Sequence, residues 1–221
     1  NFKQGYLMIV GGNRLDEQQI ELMLRFTKVF QQTYTRFLDL QKAEAQAREA
    51  EIELALERVR ARTMGMQKSA ELKDVARELR VQLAALGTEE LETCAVNLYE
   101  ESDEYLEAWA AVRPPDSSKD IVELHYNIPK KGICIIEDML HAYQSGVDEY
   151  VFELEGSKGA QWMNTMEEQM PEMFAAAAAA PGYKETGLIQ AWFCCNYFSG
   201  GALVMITMTP PLEESRILLN R

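Results

Sequence analysis

The sequence predicts an α+β fold, an antiparallel sheet with helices on both faces, preceded by a long coiled-coil helix. Three observations predict it. Between Asp16 and Met64 there is no Gly or Pro, and helix formers dominate. Six β-like runs follow, at 93–100, 104–112, 121–128, 149–155, 188–198 and 202–209, separated by turn residues. Among them lie amphipathic stretches at 69–86, 133–144 and 160–180.

The elements follow in order. Residues 2–10 (FKQGYLMIV) end in an apolar, strand-like run broken by Gly11, Gly12 and Asn13. Asp16 and Glu17 open a helix, since acids favour a helix N-terminus. Leu38, Ala45, Ile52, Val59 and Met66 recur every seven residues, the mark of a helix supercoiled against another. A helix from Asp16 to Met66 has a length of about 75 Å, so a parallel two-stranded coiled coil is expected, with these five residues as its seam. Gly65 is the soft spot where it ends or bends. In 69–86 Ser69 is the expected cap, Gly87 the stop, and Leu72, Val75, Leu79, Leu83 and Leu86 the apolar face. Glu101, Ser102 and Asp103 join the first two strands as a hairpin. The run Ala175–Ala180 reads as the tail of the 160–180 helix, stopped at Pro181 and Gly182. Ser199, Gly200 and Gly201 hinge the last two strands.

Composition excludes several function classes. A net charge of −13 opposes binding to a phosphate backbone or an anionic bilayer. No apolar run reaches the roughly twenty residues of a membrane span, so no membrane contact is expected. Cys94, Cys134, Cys194 and Cys195 sit in apolar stretches without CxxC spacing and read as reduced thiols of a cytoplasmic protein. With His125 and His141 the only histidines, no metal site is expected and no cofactor is indicated.

The two ends of the chain repeat one another. Phe2, Gly5 and Leu7 match Phe198, Gly201 and Leu203 at one constant offset. After a one-residue shift, Leu15, Asp16, Glu17, Ile20 and Leu22 match Leu212, Glu213, Glu214, Ile217 and Leu219. The physical reading is a last hairpin strand followed by an acid-initiated helix, present twice. Residues 1–37 are then the end of a preceding domain, 38–67 a coiled-coil linker, and 68–221 a second copy lacking most of its last helix.

This arrangement resembles tandem GAF domains of bacterial sensor proteins. The run KVFQQTYTRFLDLQKAEAQAREAEIELALERVRARTMGMQKSAEL is similar to the inter-domain linker of a group of sensor histidine kinases, and the resemblance is strongest over residues 24–87. It implies a non-enzymatic cytoplasmic sensory module that binds a small molecule or partner and relays the change through a homodimeric coiled coil, with an output domain beyond Arg221. The Asn-Lys…Phe…Asp-Glu constellation of cyclic-nucleotide-binding relatives has no match, and Phe193-Cys194-Cys195-Asn196 lacks the context of a bilin attachment site. The rival readings are a thiol-dependent reductase of free methionine sulfoxide and a ligand-free dimerising spacer.

Strand alternation points to a site. Cys94, Val96 and Leu98 oppose Ala95, Asn97 and Tyr99; Leu106, Ala108, Ala110 and Val112 oppose Tyr105, Glu107, Trp109 and Ala111; Ala191, Phe193, Cys195 and Tyr197 oppose Gln190, Trp192, Cys194 and Asn196. The plainly apolar faces are expected under helix 69–86 and the terminal helices. The mixed faces, bearing Asn97, Trp109, Gln190, Trp192, Cys194 and Asn196, are expected to line a ligand pocket, with His125 beside them.

Overall fold

A computed structural model describes residues 3, 5–88, 91–100, 104–113, 121–178 and 190–221, the side chain of Ala176 apart. The chain divides into two compact units, Asn1–Glu51 and Ile52–Arg221. Helix α1 (Glu17–Met64) is one unbroken element of 48 residues whose last turns belong to the second unit.

In the first unit α1 begins with a reciprocal capping box: the Gln19 amide donates to Asp16 Oδ1 at 2.8 Å, and the Asp16 amide donates to Gln19 Oε1 at 3.0 Å. Phe30, Tyr34 and Phe37 form a stacked ladder with centroids 5.8 and 6.3 Å apart. Phe26, Val29, Phe30, Phe37 and Leu38 are exposed. The strand expected over residues 2–10 is not formed at residues 6–10, while Phe2 and Gln4 lie outside the described residues. A short run gains strand structure only by pairing, and no ladder takes up these five residues.

The second unit is built on a six-stranded antiparallel sheet: β1 (Leu91–Leu98), β2 (Tyr105–Val112), β3 (Val122–Pro129), β4 (Glu149–Leu154), β5 (Ala191–Phe198) and β6 (Gly201–Thr207), in the order β3-β2-β1-β6-β5-β4. The hairpin residues Glu101–Asp103, the helix end at Pro181 and Gly182, and the start of the last-but-one strand at 188–189 lie outside the described residues. The remaining elements are α2 (Leu72–Ala85), α3 (Cys134–Gln144), α4 (Gly156–Gln169), α5 (Pro171–Ala178) and α6 (Glu213–Leu219).

Helix α2 ends as its sequence demands. Gly87 adopts φ 98°, its amide donates to Ala84 O, and the Thr88 amide donates to Leu83 O, which completes a Schellman motif. Its start differs from the expectation: Ser69–Glu71 is a separate 3-10 turn, and no side chain caps α2. The single helix expected over 160–180 is two, α4 and α5, because Pro171 has no N–H to continue α4 and its ring clashes with the preceding turn. Of the alanine run, Ala175–Ala178 is helical and Ala179 and Ala180 lie outside the described residues.

The sheet is covered on both faces. Ala95, Leu106, Ala108, Ala110, Phe193, Cys195 and Val204 meet Ile135, Ile136, Met139, Trp162, Met163 and Met166 of α3 and α4. On the other face Cys94, Cys194 and Met205 meet Leu83 of α2 and Leu219 of α6, and Val96 and Ala111 meet Ala76. Full burial of a large apolar side chain contributes about 1.5–3 kcal/mol, so the more apolar strand faces settle under the broader, more apolar layer of α3–α5. This reverses the expected assignment for β2 and β5, whose apolar faces meet α3–α5 rather than α2 and the terminal helix. Arg80 is buried and ties α2 to the start of β1, Nη2 donating to Leu91 O at 2.9 Å.

The last turns of α1 pack within this unit. Ile52 and Ala55 are buried by the chain itself, Arg58 Nη1 donates to Gln82 Oε1 at 3.2 Å, and Arg62 pairs with Asp74. The five expected seam residues therefore differ in setting. Leu38 and Ala45 are exposed, Val59 and Met66 are half-buried, and Ile52 is withdrawn from solvent.

Candidate functional site

Each expected pocket residue has a definite place, and they do not share one. In register across the sheet, His125 pairs with Trp109, Trp109 with Val96, Val96 with Leu203, Leu203 with Asn196, and Asn196 with Glu149. That row faces α2 and α6, together with Cys194. The exposed His125 ring stacks on the buried Trp109 indole with centroids 3.7 Å apart and planes 19° apart. Trp192 is half-buried, and the exposed Gln190 donates to Glu153 Oε1 at 2.9 Å. Only Asn97 lies on the opposite face, beside Tyr99 and toward α3–α5. The seven residues thus form no single pocket. Alternation fixes which residues share a strand face, whereas register and helix packing fix how the faces of separate strands align.

The group around Cys194 is structural in character. Arg216 of α6 donates to the Glu149 carboxylate through Nε at 3.0 Å and through Nη2, and Cys194 Sγ donates to Glu149 Oε1 at 3.5 Å. Hydrogen bonding from Arg216 holds the Glu149 carboxyl below its usual range. Burial, and secondarily Glu149, pushes the Cys194 thiol up to about 12. Burial raises Cys94 to about 12 and drives Cys195 higher still. Thiols held this far above neutral pH are poor nucleophiles. Cys134, at the start of α3, is the exposed one.

A large cleft was not singled out from sequence. It is a cleft of about 950 Å³ on the α3 side of the sheet, between the β1 end, the β2 start, the β3–α3 turn and α3. Tyr99 and Tyr143 line it and form a tyrosine cluster with Tyr197. Tyr99 meets Tyr143 edge-on at 5.1 Å, and Tyr143 meets Tyr197 at 5.8 Å. Tyr197 Oη donates to Met139 O at 2.8 Å, and the Gly200 amide donates to Tyr143 Oη at 3.0 Å, so two of the three rings are fixed at their polar ends. The Tyr99 hydroxyl is buried and makes no hydrogen bond of ordinary geometry. Burial raises its phenol well above the usual range, and the neighbouring Asn97 side chain tempers that push. Lys130, Lys131 and His141 line the mouth with Glu104 and Glu137. The Gly132 amide donates to Glu137 Oε1 at 2.8 Å, and Lys130 Nζ donates to Glu100 O.

A signal for this site existed in the sequence. Lys130-Lys131 is the only adjacent lysine pair, bracketed by Pro129 and Gly132 at a strand end. It points nowhere until α3 folds back over the same end of the sheet. Among the described residues no group of His, Cys, Asp and Glu is arranged to hold a metal ion, and no helix is long and apolar enough to cross a membrane. No protein-family model and no curated protein matches the chain.

Proposed function

We propose that the chain is a GAF-like sensory module of a signal-transduction protein of the sensor histidine kinase type, working as a cytoplasmic homodimer. One observation carries this reading: α1 runs unbroken from the repeated motif in the first unit into the second, where its last turns join the unit that bears the cleft. A helix with no Gly or Pro over 48 residues transmits twist or displacement along its axis rather than absorbing it. The sheet with α2 and α6 on one face and a cleft on the other side supports the GAF-like assignment. The raised thiols favour sensing over thiol-dependent reduction.

The apolar surface of α1 supports the homodimer. Leu24, Leu38 and Ala45 continue the seven-residue phase N-terminal to Ile52 and are exposed, as a partner helix would require. The aromatic face formed by Phe26, Phe30 and Phe37 is turned away from that seam. A seam-only coiled coil carries a narrower stripe, so this second face is assigned to the sheet of a preceding domain.

Cysteine cross-linking tests the relay. In a Cys134→Ser background, Ala45→Cys is expected to form an inter-chain disulfide under mild oxidation, because a parallel in-register pair sets position 45 against itself. Sedimentation is expected to give a dimer. A monomer at micromolar concentration without cross-linking would overturn the dimeric relay.

A further inference from the structure

We propose that the cleft between the β3–α3 turn, α3 and the β1–β2 end binds a small aromatic molecule carrying one anionic group. This rests on the sensory reading and names the ligand class of its site.

The argument starts from volume. About 950 Å³ lies at the upper end of small-molecule sites and exceeds what one ring fills, so the occupant has fused rings or a ring with a side chain. The walls set its character. Tyr99 and Tyr143, which meet edge-on, line the cleft and favour a planar π-system over an aliphatic chain.

Charge sets the second requirement. In a chain of net charge −13, the sole adjacent lysine pair stands at this mouth, with His141 across from it on α3. Of the two carboxylates there, Glu137 accepts the Gly132 amide through one oxygen, and Glu104 stands in the lining at the start of β2. Lys131 is placed to meet an anion, while Lys130 is engaged with the Glu100 carbonyl.

The third element is the Tyr99 hydroxyl. It is a buried polar atom that makes no hydrogen bond of ordinary geometry, with the Asn97 side chain nearby, in a residue that lines the cleft. Native structures rarely leave such a group unsatisfied, and a ligand oxygen would satisfy it. The phenol stays protonated when folded and so serves as a donor, which again selects an acceptor.

Three probes of one ring system and different charge test this: 2-naphthylacetate, 2-(2-naphthyl)ethylamine and 2-(2-naphthyl)ethanol, titrated calorimetrically into the full chain. The acetate is expected to bind about tenfold more tightly than the alcohol, the difference one charged hydrogen bond makes, and the amine more weakly than either. Lys131→Gln should remove the preference for the acetate while the alcohol is unaffected. Tyr99→Phe should weaken the acetate several-fold, with the melting temperature showing that both variants fold. Phe30→Ser should leave binding unchanged, since that ring belongs to the exposed ladder of α1. Equal affinity for the three probes, no binding, acetate binding indifferent to Lys131 and Tyr99, or loss of binding in Phe30→Ser would each overturn the proposal. The cross-linking of Ala45→Cys is read separately. Selective binding without cross-linking retains the site and overturns the relay; cross-linking without binding does the reverse.

Discussion

The same local sequence occurs in both units and meets two different fates. In the second unit Gly201–Thr207 is the central strand β6, paired with β1 and β5, and Met205 is completely buried. In the first unit the matching Ile9 is 58% exposed, and residues 6–10 form no strand. The helices fare otherwise: Glu213–Leu219 and the segment from Glu17 are both helical, although Leu219 is 5% exposed and its counterpart Leu22 is 52% exposed. A helix satisfies its own hydrogen bonds and forms from local preference, whereas a strand exists only through its neighbours.

The shared Phe-x-x-Gly pairing breaks that comparison most sharply. A Cβ at Gly201 would lie 2.0 Å from the Asn97 carbonyl oxygen and 2.9 Å from the Phe198 ring, because Phe198 and Gly201 face each other in register next to β1. Gly201→Ala is expected to destabilise the second unit by about 3 kcal/mol or more, measured by denaturant unfolding. Gly5→Ala, where the motif forms only an isolated bridge and no strand follows, should leave the midpoint nearly unchanged. Equal effects would show that the two motifs share an environment.

The seam separates next. Ile52→Ala should lower stability by about 2 kcal/mol independently of protein concentration, since the chain itself buries Ile52. Leu38→Ala should act only through association, so its effect on the melting temperature should grow with protein concentration. A concentration-dependent loss for Ile52→Ala would place that residue in the dimer instead.

A smaller effect concerns α6. Arg216 depresses the Glu149 carboxyl, so the folded state favours its ionised form. That contribution is complete above the ordinary glutamate value of about 4.3 and is lost as pH falls through the lower folded value. The pair is partly exposed, so about 1 kcal/mol is at stake. Arg216→Gln should flatten the acid limb of the stability curve below about pH 4.3. An unchanged limb would show that the pair adds nothing.

The smallest expected effect is at the start of α1. Asp16→Ala removes the capping box and should fray the first turn by about 1 kcal/mol, seen as faster amide exchange at Gln18–Ile20 with the second unit untouched. Unchanged exchange would show that the box does not hold the first turn.

How legible the site was follows from particular residues. The faces of single strands were readable: Ala95, Asn97 and Tyr99 do share a side, as do Trp192, Cys194 and Asn196. Which side met which helices was not, so Asn97 parted from the other six candidates. The cleft escaped notice because Tyr99, Lys131 and Tyr143 are far apart in sequence and come together only when α3 folds over the strand ends. The heptad was plain from Leu38 to Met66, yet Ile52 and Val59 turn toward their own chain, a choice that spacing alone does not express.

By itself the sequence determined the α+β class, the long helix without Gly or Pro, the Gly87 stop and nearly every strand, because these rest on propensity, periodicity and turn chemistry within a few residues. Tertiary structure decided the strand order, the face each strand turns to α2 or to α3–α5, the burial of Ile52 and the existence of the cleft. Those outcomes depend on which distant surfaces exclude water together, and pairing between remote segments is not written in any one of them.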